Sequence, residues 1–349
     1  MSVESYLRAV PKVELHVHLE GAIQPATLLE LARRNGIELP ATTERELRDF
    51  FQFRDFRHFA DIYVLITRCL RTVDDYELIV HDFGAEMARQ NVRYAEVTFS
   101  PSTHRWLGVP DETMLDGLNR GRKEVAEEFG AEINWVFDIV RWKLDEKDTI
   151  ARADYTTEIA IACQDQGVVA LGLGGLEAGH PPEDFERWFD RGRAAGLRSA
   201  PHAGEFGGAQ SVRGAIEHLG ADRIGHGVNA IVDPELVELI VERGIPLEVS
   251  PTSNVSLGVF PDLESHAFRC LRESGVTVTI NSDDPPLFNT TLNDEVVLLH
   301  DAFGYSVEEV DDILLDAVRC SFLPVVRRSR MESDFITEMR RLKAVHGVD

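Results

Sequence analysis

The chain has 349 residues, 44% of them hydrophobic, with 36 Lys and Arg against 60 Asp and Glu, a formal net charge of −24. That apolar content supplies a full core, and the length suits one large α/β barrel, which typically needs ~250 residues plus insertions, or two ordinary domains. The acidic excess works against nucleic acid and anionic membranes as partners and leaves small neutral or cationic molecules as the expected ligands.

In chain order, the first predicted strand is Val13–His18, within Lys12-Val13-Glu14-Leu15-His16-Val17-His18-Leu19-Glu20-Gly21. Residues i and i+2 of a strand share a face, so the two imidazoles can converge on one cation. Residues 20 to about 90 exceed one crossover helix and are expected to place extra helices over the mouth of the fold. Phe56, Phe59 and Tyr63 fall there at helical spacing, which reads first as a core helix and second as an apolar lid. Further strands are predicted at Val92–Phe99, Ile133–Val140, Val168–Gly174, Leu197–His202, Arg223–His226, Ile245–Ser250 and Val276–Asn281. Helical patterns lie between them, at Ala26–Asn35, Asp111–Glu128, Asp154–Gln166, Pro182–Ala195, Ala209–Leu219, Pro234–Arg243 and His266–Ser274. Helix-Gly-strand punctuation at Gly196, Gly244 and Gly275 is what short αβ loops require.

Eight strands alternating with helices predict a (β/α)8 TIM barrel with helices inserted after the first strand, read as one domain over residues 1–349. An open doubly wound sheet is the alternative, and no G-x-G-x-x-G opens a helix to support it. Cys69, Cys163, Cys270 and Cys320 are widely separated, so neither a disulfide framework nor a thiolate zinc cluster is indicated and a reducing compartment is implied. No signal-peptide pattern and no apolar run of ~18 residues is present, so the expectation is a soluble, cytoplasmic protein.

The predicted strands end in polar clusters, and in a barrel these ends all project to one face, where such enzymes work. His16 and His18 offer two nitrogen ligands, His202 a third and Asp283 an oxygen. Such a set without thiolates suits Zn²⁺, with Fe²⁺ and Mn²⁺ as further candidates. A bound cation lowers the pKa of water toward ~7, so hydrolysis is the natural use. Glu205, three residues past His202, suits a proton donor if burial raises its pKa, with a surface or capping carboxylate as the alternative. His226 can accept a proton from the water or stabilise hydroxide, and Asp284 is free to hold the substrate.

The segments HVHLEG, HAGE, RIGHG, SPTSN and NSDDP, in that order between residues 16 and 285, resemble the five motifs of the adenosine deaminase family of the amidohydrolase superfamily. The resemblance implies a metal-dependent barrel that hydrolyses an exocyclic amine from a purine-like ring and releases ammonia. It makes His16, His18, His202 and Asp283 the zinc ligands, Glu205 the proton donor to the ring nitrogen, and His226 the residue that orients and deprotonates the water. It also implies that Asp284 bonds the imidazole side of the purine and that the Gly175 N–H bonds the pyrimidine side.

Two departures bear on substrate. Glu20 stands where adenosine-cleaving members usually carry an Asp that touches the ribose 5′ side. Adenine deaminases also often carry Glu there and resemble this chain at Glu177-Ala178-Gly179-His180-Pro181-Pro182, but they typically have Asp where this chain has Gly225. The combination most resembles deaminases of nucleosides altered at the 5′ carbon, such as aminodeoxyfutalosine. Free adenine, another amidohydrolase reaction and an inactive binding barrel are the other readings. Strand four has no Lys to bridge two metals, which favours one. The H-x-E and P-C-x-x-C signature of cytidine-type deaminases is missing.

Overall fold

The computed structural model describes residues 2–141 and 146–348. Eight parallel strands follow one another in sequence order around a nearly closed barrel: β1 (Lys12–His18), β2 (Val92–Phe99), β3 (Glu132–Arg141), β4 (Val168–Gly175), β5 (Arg198–Ala203), β6 (Ile224–His226), β7 (Leu247–Val249) and β8 (Val278–Ile280). The helices outside it are α1 (Val3–Ala9), α2 (Pro25–Asn35), α3 (Glu44–Phe50), α4 (Phe56–Thr67), α5 (Val73–Arg89), α6 (Pro101–Trp106), α7 (Asp111–Phe129) and α8 (Glu146–Ala162). They continue with α9 (Glu186–Ala194), α10 (Gly208–Glu217), α11 (Pro234–Arg243), α12 (Pro251–Ser256), α13 (Phe268–Glu273), α14 (Leu292–Asp301), α15 (Val307–Cys320) and α16 (Val325–His346). Among the described residues no helix is long and apolar enough to cross a membrane.

The expected barrel is present, and so are the extra helices after the first strand, α2 to α5. Local chemistry sets their limits. The Asp55 side chain accepts from His58 N–H to start α4, and Thr72 and Asp75 cap α5 reciprocally. Gly244, at φ 61°, ends α11 in the left-handed region where a Cβ is disfavoured. Helix α8 starts eight residues earlier than the pattern predicts, because residues 146–153 carry only a weak apolar stripe.

Strands β6 to β8 are shorter than expected. At the β8–β1 seam a side chain replaces part of the backbone ladder: Asn281 Oδ1 accepts from Leu15 N–H at 3.0 Å and His16 N–H at 3.1 Å. The barrel then closes through main chain, with His18 N–H donating to Asp283 O at 2.9 Å and Asp283 N–H donating to His16 O at 3.1 Å. Closure and the predicted metal ligands therefore share the same residues. At the C-terminus α15 packs on β8 and β1, and α16 on α15 and α1.

Candidate active site

The ends of β1, β5 and β8 bring together the four predicted ligands. His18 Nε2 lies 3.1 Å from His202 Nε2 and 3.4 Å from Asp283 Oδ1, and His16 Nε2 lies 3.6 Å from the same oxygen. Four ligands at ~2.0–2.1 Å around one tetrahedral zinc would be about 3.3 Å apart, so the spacing fits a single small cation. The orientation fits as well. His16 Nδ1 is 2.9 Å from Glu248 Oε2 on β7, which turns its Nε2 toward the cluster, and that buried Nε2 has no hydrogen-bond partner. Burial, with the neighbouring His16, His18 and His226, holds the His202 pKa well below the usual value, so this imidazole is neutral and ready to ligate. Ligand atoms of His16, His202, His226 and Asp283 also lie within 4.8 Å of one another. His226 Nε2 is the outlier, 3.9 Å from Asp283 Oδ2 and 3.7 Å from Glu205 Oε2.

Backbone strain marks the same place. His226 has φ 60° and Asp283 φ 65°, values rare for residues with a Cβ and typical of functional sites. Gly225, one of the two departures, has a steric reason: a Cβ there would come within 2.6 Å of His16 Cε1. The Asp of the adenine-deaminase pattern cannot be accommodated beside this His16 ring without rearrangement.

Glu205 is buried, and its Oε1 has no hydrogen-bond partner. Burial first, then the charges of Asp283 and Glu177, push its carboxyl well above the usual carboxylate range, the state a proton donor needs. Burial and Asp283 raise Asp284 in the same way, and its Oδ1 is also unpartnered. These two, with His18, His202, His226, Asp283 and Gly175, line a cavity of about 400 Å³. Its outer wall is built by Phe56, Phe59, Tyr63 and Val64 of α4, with Trp106 and Leu257. The aromatic helix serves both readings made of it, since Phe59 also stacks on Phe288 in the core, with ring centroids 5.7 Å apart. Glu20 is not among the lining residues. It is fully buried, with Oε1 accepting from Ser100 N–H and close to His104 Nε2 at 2.9 Å, and Oε2 accepting from Tyr63 Oη–H at 3.1 Å.

Comparison with known proteins agrees with this geometry. The adenosine deaminase family pattern matches residues 11–338. The chain belongs to that family. It is 37% identical to the aminodeoxyfutalosine deaminase of Streptomyces avermitilis over 96% of this chain and 93% of the relative. Among solved structures it resembles the adenine deaminase of Arthrobacter aurescens, with a TM-score of 0.86, 32% identity, and coverage of 95% of this chain and 100% of the other. It also resembles an amidohydrolase of Burkholderia ambifaria with bound Zn, with a TM-score of 0.88, 27% identity, and coverage of 100% and 96%. The protein is thus an adenosine-deaminase-like hydrolytic deaminase of aminopurines, from a metal-dependent family.

Several residues of this deaminase have parts that the motifs did not reveal. Glu177 clasps the turn that carries Glu205, accepting from the N–H groups of Gly204, Glu205 and Phe206 at 2.5, 3.1 and 2.6 Å. Arg223 of the RIGHG motif points into the barrel, where it pairs with Glu248 at 2.5 Å and with Glu96. The network continues from Glu248 to His16, so the first of the predicted ligands is braced by a buried ion network. Asp138 lines the cavity, accepts from Ser100 Oγ–H at 2.7 Å, and is raised to about 7, chiefly by burial. The available signal was a lone charged residue inside an otherwise largely apolar predicted strand, which Asp138 and Glu248 fit; Glu96 shares its strand with Arg93 and gives no such signal.

Proposed function

We propose that this deaminase hydrolyses the 6-amino group of a purine nucleoside carrying an enlarged 5′ group, of the aminodeoxyfutalosine type, with one zinc ion as cofactor. The observation that supports this reading is the cavity: about 400 Å³, polar at the strand ends and aromatic toward α4. That volume lies within the ~300–1,000 Å³ typical of sites enclosing whole drug-sized ligands, more than a bare purine ring occupies. The likeness to a Streptomyces aminodeoxyfutalosine deaminase points the same way.

In this reading His16, His18, His202 and Asp283 hold the zinc, which when bound supplies positive charge that lowers the pKa of water toward ~7. His226 orients the attacking water. Its oxygen bonds to C6 while Glu205, whose carboxyl is pushed by burial and Asp283 well above the usual carboxylate range, gives its proton to the ring nitrogen beside C6. The proton released by the water goes to the exocyclic nitrogen, the C6–N bond breaks and ammonia leaves, and the hydroxyl left on C6 gives up its proton as the 6-oxopurine forms, which reprotonates Glu205. Asp284, kept protonated by burial and Asp283, donates to the imidazole-side ring nitrogen, an acceptor that a carboxylate anion would repel. The Gly175 N–H faces the pyrimidine side. Glu20 acts on the 5′ side indirectly, by holding Tyr63 of α4.

Free adenine is the alternative substrate, supported by the likeness to the Arthrobacter enzyme. A panel of adenine, adenosine, 5′-deoxy and 5′-methylthio analogues and aminodeoxyfutalosine, ranked by kcat/KM, separates these readings. A 5′-enlarged nucleoside is expected to lead adenosine by at least ~10-fold, about 1.4 kcal/mol of differential transition-state binding. Adenine at the head of the ranking would replace this reading with the alternative.

A further inference from the structure

His226 is the end of a hydrogen-bond chain that starts outside the site, and each link has only one polarity. Phe268 N–H, at the start of α13, donates to His266 Nδ1 at 3.1 Å. A backbone N–H can only donate, so this nitrogen carries no proton. The His266 ring is buried between Phe260 and Phe303, and burial lowers its pKa to about 4, so it is neutral and its one proton sits on Nε2. That nitrogen is 3.1 Å from Asn254 Oδ1, which must then be the acceptor. The Asn254 amide group, its orientation now determined, presents Nδ2–H to His226 Nδ1 at 3.1 Å. The hydrogen bond made at one ring nitrogen decides which tautomer the other shows. An unambiguous donor at the far end thus fixes the hydrogen positions along the whole chain of bonds.

We propose that Asn254 and His266 are positioning residues that keep Nδ1 of His226 an acceptor and so aim its single N–H, on Nε2, at the side of the site where Glu205 and Asp283 stand. Neutral His226 then meets the attacking water as a hydrogen-bond donor. Of the two tasks the family resemblance assigns to it, orienting is retained, whereas Nε2 has no lone pair with which to take the proton. The proton released by the water passes instead to a carboxylate on that side. Glu205 is suitably placed, its Oε2 being 3.7 Å from His226 Nε2, once it has given its own proton to the ring. The relay explains why an Asn and a distant His accompany the site without touching the ligands. The catalytic consequence rests on the deaminase reading above; the tautomer itself does not.

The test uses the zinc-loaded enzyme and has two arms. In the first, ¹⁵N-histidine labelling and long-range ¹⁵N–¹H correlation read the proton position on His226, its signals identified by their loss in His226→Gln. The expected pattern is Nε2–H with a bare Nδ1 in the wild type. Asn254→Asp, nearly isosteric but unable to donate, is expected to move the proton to Nδ1. His266→Phe, which keeps the ring packing, is expected to leave a mixture, and His266→Gln, which again offers a donor to Asn254, to restore Nε2–H.

In the second arm, Asn254→Asp is expected to lower kcat about 10- to 100-fold, the usual scale for partners of this kind, with KM within threefold and zinc content unchanged. His266→Gln is expected to recover most of the activity that His266→Phe loses. A wild-type His226 protonated on Nδ1 would overturn the proposal. So would Asn254→Asp that keeps Nε2–H and turns over within twofold of wild type. The spectra need no substrate, so failure of the deaminase reading and failure of the relay are separately visible. Should Asn254→Asp not fold, the wild-type spectrum and the His266 pair still decide.

Discussion

At the scale of single residues, the neighbouring carboxylates of Asp283 and Asp284 face different surroundings because the backbone turns sharply between them. Asp283, at φ 65°, points to His16 and His18 and accepts from Ser253 Oγ–H at 2.6 Å, whereas the Asp284 side chain faces the cavity with an unpartnered oxygen. Asp283→Ala is therefore expected to lose bound metal, while Asp284→Ala retains a full equivalent and mainly raises KM. Atomic emission on the purified variants distinguishes them, and equal zinc in both would refute the ligand assignment on this strand. Glu205→Gln preserves shape but has no transferable proton. It is expected to bind metal and substrate normally and to lose ~10²- to 10⁴-fold in kcat; turnover near wild type at full metal occupancy would remove Glu205 as the acid.

At the scale of elements, α4, which lines the cavity, is tied to the end of the first strand. Glu20 at the end of β1 holds Tyr63 of α4 on one oxygen and Ser100 and His104, before and within α6, on the other. Its buried carboxyl is held below the usual range: burial opposes ionisation, but the His104 hydrogen bond and charge outweigh it. Glu20→Asp shortens the arm by one methylene and cannot reach all three partners. Loosened α4 is expected to shift kcat/KM away from the 5′-enlarged nucleoside toward adenosine by about 1–3 kcal/mol, the usual discrimination for a methylene-sized change. A substrate ratio unchanged by Glu20→Asp would leave Glu20 a purely structural residue.

At the scale of the molecule, the proposed ligands come from the ends of β1, β5 and β8, so an ion held by them would tie distant parts of the barrel together. Chelation is expected to abolish activity and lower Tm, with both restored by added zinc; occupancy at ~1,000 times Kd adds ~4 kcal/mol to stability. Scanning calorimetry with and without chelator measures this, and an unchanged Tm would argue that the four ligands do not share an ion. Buried carboxyls away from the ligands act in the opposite sense as pH rises. Burial raises Glu295 from 4.5 to about 7. The unfolded chain loses this proton near pH 4.5 and the folded chain only near 7, so the folded state binds more protons between those values. Its contribution is complete below that window and is lost as pH rises through it, by up to ~3 kcal/mol. Urea unfolding at several pH values should show Glu295→Gln reducing that decline, and an identical slope in both proteins would contradict the assignment.

Much of this was determined by the sequence alone. Short apolar runs alternating with amphipathic helical ones led to a barrel whose eight strands all fall where the sequence places them, because in a parallel barrel each strand is buried on both faces and pairs with the next strand in chain order, so the apolar run itself marks the strand. The motif residues converged for a similar reason: in a parallel barrel every strand end lies on one rim, so position in a strand translates directly into position in the site. What only the tertiary structure decided involves pairs far apart in the chain. The Arg223–Glu248–His16 brace, the Glu177 clasp on the Glu205 turn, the burial of Glu20 beneath α4 and the His266–Asn254–His226 chain each depend on which side chains meet across the barrel or its loops. Local periodicity carries no record of such meetings, since a lone carboxylate or histidine obeys the same spacing rules whether it braces a ligand, lines a cavity or faces solvent.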